Sequence, residues 1–224
     1  MVSYTSNLKK LFFHPKQFFN SVEKDKDYSS IMFFYVKIII ISSIVGIISS
    51  SVILGIQNTL TVLGVIGLIT NAAVSIGLSF LVPFILAGII HLGVMVFRGK
   101  QRFYNTYKPM TYSLAIVAIY SIISTVISTI LSIINPVNNL STTDPLLILQ
   151  NPNVIAVMAV SFTILTISLI HSLIVQVIGI SKFQKISKLR AFLAIVLVMI
   201  ILAIIVILIM GFIISQIIAL PAVA

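Results

Sequence analysis

From Ser30 to Ile218 the sequence is a series of long apolar runs, and Lys and Arg, Lys37 aside, are confined to the segments that flank them. That distribution leaves few folds open. A hydrocarbon core about 30 Å thick is crossed by about 20 apolar residues of helix, and each run reaches that length. Backbone polar groups in lipid must be satisfied within the segment, so the runs read as helices. The predicted spans are 30–54, 60–97, 109–134, 152–179 and 191–218, an all-α polytopic transmembrane bundle of about five helices. With 59% hydrophobic and 8% charged residues, the chain departs far from the roughly one quarter charged that soluble domains carry. It has no room for a sizeable soluble enzyme domain.

Orientation follows from the positive charges. Lys and Arg precede the first span, lie between spans two and three, and lie between spans four and five, whereas the other joints carry none. This pattern puts the N-terminus in the cytoplasm and the C-terminus outside. The net charge of +10 is therefore matched to the anionic headgroups of the lipid bilayer and not to nucleic acid. Lys37 sits near enough to the start of span one to snorkel. The first run is too long for a cleavable signal and reads as a retained anchor. Run 60–97 is too long for one straight crossing and too short for two with a loop. A single helix is expected there, broken near Thr70 and Asn71 or kinked at Pro83.

Residues 1–28 form a cytoplasmic amphipathic segment. Leu8, Leu11, Phe12, Phe18, Phe19 and Val22 recur at helical spacing with Lys9, Lys10 and Lys16 between them. Pro15 splits it into two short helices. They either lie in the headgroup plane or pack on the bundle. Glu23 to Asp27 reads as a solvated linker. Ser42, Gly46 and Ser50 are spaced for close helix approach. Pro109 suits the first turn of span three, and Asn135-Pro136 ends it. Its hydroxyl stripe, Ser121, Ser124, Thr125, Ser128, Thr129 and Ser132, is expected to pack on another helix. The following loop holds Asp144 and the sequon at Asn139. Span five is apolar on all sides and belongs at the periphery, facing lipid or a second copy in a homo-oligomer.

Few residues can carry chemistry. Cys is absent, and the acids are Glu23, Asp25, Asp27 and Asp144, so thiolate, disulfide and paired-carboxylate chemistry have nothing to draw on. No metalloprotease, serine-hydrolase or phosphate-loop motif occurs, and no catalytic residue, cofactor or metal site is assigned. His91 and His171 lie roughly 10 and 16 Å of helix short of Arg98 and Lys182 and could face one another at similar depth. Interhelical hydrogen bonding is the favoured role for both, ahead of a proton or solute path and of metal binding, since zinc wants three or four ligands. The basic joints hold Arg98, Lys100, Arg102, Tyr104 and Lys108, then Lys182, Lys185, Lys188 and Arg190. Topology signalling with an aromatic belt accounts for much of this charge. The functional reading is a face that docks anionic lipid or a peripheral protein.

FFHPKQFFNSV near the N-terminus, the His91 span running into FRGKQRFYNTYKPMTYS, the loop PLLILQNP and the turn GISKFQKISKLRAF together resemble the Yip-domain family of Ypt/Rab-interacting membrane proteins, in its prokaryotic or archaeal form. The resemblance implies a five-helix bundle with a cytoplasmic N-terminus. In eukaryotes the family is associated with prenylated Rab-type GTPases, vesicle traffic and membrane shaping. This chain has only a short polar segment before its first span and lacks the Asp-Leu-Tyr-Gly-Pro motif of that branch, so no functional residue transfers. The expectation is a non-enzymatic adaptor in a prokaryotic plasma membrane, presenting the basic joints. The alternative is a small transporter or channel component using Ser124, Ser128, His91 and His171.

Overall fold

The computed structural model describes residues 4–23, 27–56, 61–134 and 151–219. Asp25, the Asn135-Pro136 stop, the sequon at Asn139 and Asp144 lie outside them. The described residues form seven helices: α1 (Tyr4–Phe13), α2 (Pro15–Ser21), α3 (Tyr28–Ile56), α4 (Val62–Val96), α5 (Tyr104–Ile134), α6 (Pro152–Gln184) and α7 (Lys188–Ala219). The last five are each long and apolar enough to cross a membrane. α5 is central and packs on α3, α4 and α6, while α7 packs on α4 and α6.

Pro15 divides the N-terminal segment as its chemistry requires. It opens α2, where a missing N–H costs nothing. Of the two placements open to this hairpin, the structure has the packed one. Leu11, Phe18 and Phe19 are buried, and α2 lies against α6. Phe18 meets Tyr112 edge to face at 4.7 Å and Phe19 meets Phe183 at 5.6 Å. Such pairs contribute about 0.5–1.5 kcal/mol each beyond the area they bury.

Local capping sets most helix starts. The Asp27 carboxylate accepts from the amide of Ser29 at 3.0 Å and caps α3, so this end of the linker is a structural element. Thr61 accepts from the Gly64 amide to start α4, and Asn151 accepts from the Asn153 amide to start α6 ahead of Pro152. α4 is one helix, unbroken at Thr70 and Asn71, with Pro83 buried inside it.

Two expected boundaries move. α5 starts at Tyr104, so Pro109 is inside the helix and not at its first turn. The turn forms upstream because Thr106 and Tyr107 are fully buried and bond to the Phe103 carbonyl. α6 runs past Gly179 to Gln184. There a side chain is excluded by close approach, since a Cβ on Gly179 would lie 2.4 Å from Pro109 Cβ and 2.8 Å from Phe19 Cζ.

Burial is concentrated toward the basic end of the long helices. Ser42, Gly46 and Ser50 are half-buried, and no close approach occurs at Gly46 among the described residues. They line an open crevice of about 490 Å³ between α3, α4 and α5, and nothing lies within 4 Å of a Cβ built on Gly46. Close approach occurs instead at Gly93, where a Cβ would meet the Ala194 carbonyl of α7 at 2.7 Å. Accordingly α7 is peripheral except along Ala191, Ala194, Ile195 and Val198, which are buried.

Candidate functional site

The basic end is built from two turns of the same local design. At the end of α4 the Arg98 amide donates to Met95 O at 3.0 Å and the Gly99 amide to Val94 O at 2.9 Å. This is a Schellman closure, and it puts Arg98 in the left-handed region with φ 67°. At the end of α6 the Ile186 amide donates to Ser181 O at 3.2 Å, and Lys185 takes φ 55°. Glycine is the customary residue at such a position, because a Cβ there is strained. Both positions here carry a cation.

Gln184 joins the turns. It is 2% exposed; its Oε1 accepts from the Gln101 amide at 3.1 Å, and its Nε2 donates to Thr106 Oγ1 at 2.8 Å. Thr106 Oγ1 in turn lies 2.8 Å from His91 Nδ1. The α4–α5 turn is thus tied to the last residue of α6. Sequence reasoning missed Gln184, whose uncharged side chain stands among lysines that look more informative.

Around this tie, Arg98, Lys100, Arg102, Lys185, Lys188 and Arg190 are exposed. Two lysines and one tyrosine of the basic joints are placed differently. Lys108 is 1% exposed, with Nζ donating to Val22 O at 2.7 Å and lying 4.9 Å from the Phe183 ring centre. It is buried because the first turns of α5 are enclosed on every side, residues 106–113 all being buried. Lys182 donates to Phe19 O at 3.1 Å and to Asn20 Oδ1, and pairs with Glu23 at 3.0 Å. Both lysines therefore meet the C-terminal end of α2, where helix carbonyls lack partners and the dipole favours positive charge. Tyr104 is half-buried, its ring 4.6 Å from that of Tyr28 and its hydroxyl donating to Asp27 O at 3.4 Å.

The two histidines have separate partners and do not face each other. His91 bonds to Thr106 and packs edge-on against Phe103. His171 Nδ1 lies 3.2 Å from the Tyr120 hydroxyl, and its ring meets Phe12 edge to face at 4.7 Å. His171 thus holds one end of the N-terminal hairpin, and Lys108 and Lys182 hold the other. In the hydroxyl stripe, Ser128 Oγ meets Ser161 Oγ of α6 at 3.1 Å, Thr129 donates to Thr125 O and Ser132 to Ser128 O. Ser124 faces a cavity between α5 and α6. The four residues of the transport alternative do not converge on one path, since His91 belongs to the Thr106 and Gln184 network.

Comparison with known proteins gives one finding. Neither the curated proteins nor the solved structures contain a match to the chain. The family model of the Yip1 domain matches residues 9–211, a range that takes in most of the N-terminal hairpin and four of the long helices entire, with the fifth to within its last turns. The spans and the matched range together make the chain an integral, polytopic membrane protein, and it belongs to the Yip1-domain family.

Proposed function

We propose that the protein is a non-enzymatic membrane organiser whose basic end, held in the cytoplasm, docks an acidic peripheral protein or anionic headgroups. The observation that carries this reading is the pair of cations at left-handed positions, Arg98 and Lys185, on two turns tied together by Gln184. Backbone strain persists where the side chain is needed, and glycine at either position would relieve it. Lys100, Arg102, Lys188 and Arg190 extend the same positive surface, and neither α5 nor α7 has an acid in its first turn to neutralise it. A prokaryotic plasma membrane, with its anionic inner leaflet, supplies a fitting setting.

The test is in-membrane crosslinking with mass spectrometry, comparing the native chain with one in which these six cations are changed to Gln. Lys108 and Lys182 are left in place, because they hold the hairpin. A protein partner or anionic lipid enriched by the native chain and lost in the variant, with insertion and orientation unchanged, supports docking. Equal recovery from both chains reduces the charges to topology signals.

A further inference from the structure

Between α5 and α6 lies a cavity of about 370 Å³ whose lining includes Tyr120, Ser124, Ser161, Ile164, Leu165 and Ser168. Among the described residues, no carboxylate, amine or imidazole lines it. Tyr120 is engaged with His171, and Ser161 with Ser128. Ser168 differs: it is 1% exposed, and its Oγ has no hydrogen-bond partner among the described residues. A serine or threonine in an apolar helix ordinarily bonds back to the carbonyl four residues earlier. On this same helix Thr163 does so to Ala159 at 2.8 Å and Thr166 to Phe162 at 2.9 Å. Ser168 does not.

We infer that this cavity binds the headgroup of a neutral glycerolipid bearing a free hydroxyl, a diradylglycerol, independently of any docking at the basic end. An unpaired charge in a site without counter-charge is strongly disfavoured, which excludes a phosphate. Hydrocarbon alone would leave the Ser168 hydroxyl unsatisfied. A glycerol hydroxyl flanked by ester or ether oxygens supplies both a donor and acceptors to Ser124 and Ser168, each of which can donate and accept. Leu165 lines the cavity and is also exposed, so the chains can leave toward the lipid-facing surface.

The experiment uses the full chain in nanodiscs with a photoactivatable diacylglycerol, and peptide mass spectrometry to find the label. Labelling is expected on residues 117–125 and 161–168, displaced by unlabelled diacylglycerol, and displaced about tenfold less well by its methyl ether or by phosphatidic acid. Ser168→Ala should lower labelling about tenfold with the melting temperature unchanged or raised. Leu165→Trp, which fills the space, should abolish it. Equal competition by all three lipids, label spread over the exposed face of α7, or undiminished labelling of Ser168→Ala would each overturn the assignment.

Discussion

Lys108 Nζ lies 2.7 Å from the carbonyl oxygen of Val22, which joins the buried start of α5 to the end of the N-terminal hairpin across 86 residues of sequence. A hydrogen bond from a charged donor contributes about 1.5–3 kcal/mol, and aromatic rings under the ammonium add to it. Lys108→Met keeps much of the stem and removes both effects. We expect a loss of about 2 kcal/mol in detergent melts and faster trypsin cleavage at the exposed Lys16 as the hairpin loosens.

Glycine positions should divide by what surrounds them. Gly179→Ala drives a methyl into Pro109 and Phe19, both rigid and packed, and is expected to cost about 1–3 kcal/mol. Gly46→Ala meets nothing within 4 Å and should be neutral or stabilising by up to about 1 kcal/mol. Thermal unfolding of the two variants side by side checks the contrast. Equal destabilisation would contradict the close approach of α2, α5 and α6.

Arg98→Gly is expected to stabilise the fold by up to about 1 kcal/mol while weakening any interaction at the basic end. Arg98→Ala removes the same charge without relieving the backbone. Melting curves for the pair separate strain from charge, and a lower melting temperature for the glycine variant would argue against strain at this turn.

The cap at Asp27 sets a pH dependence. The hydroxyl of Ser29 and then its amide hold the Asp27 carboxyl below the ordinary carboxylate range. The folded value lies below the unfolded one of about 3.9, so the cap contributes stability above that pH and loses it as pH falls through the folded value. Asp27→Asn should melt below the native chain at neutral pH, and the gap should close in acid. A gap that stays constant across that range would show the carboxylate charge to be immaterial.

Much of the architecture was legible in the spacing of apolar residues and the placement of charge: five long helices, an N-terminal segment split at Pro15, and a single helix over the longest run, although the break offered at Thr70 and Asn71 does not occur. Length and periodicity report such features directly. Tertiary burial of polar groups is reported less well. Lys108 looks like the exposed cations of the same joint, and its burial follows only from α5 starting at Tyr104 with residues 106–113 enclosed on every side. Ser42, Gly46 and Ser50 have the spacing of a helix contact, yet the close contacts fall at Gly93 and Gly179, because spacing along one helix does not say where its neighbour crosses. Gln184 carried no signal at all, since its partners are a backbone amide and a threonine some 80 residues away.

The seat of the N-terminal hairpin has a consequence in time. Its partner Lys182 is 163 residues downstream of Phe19. At about 5–20 residues per second, roughly ten to thirty seconds of synthesis separate the two. During that interval Phe19 has no Phe183 to pack against, and the end of α2 has no Lys182 to meet its carbonyls. Docking of the hairpin then marks a chain whose fourth long helix has been made and correctly placed.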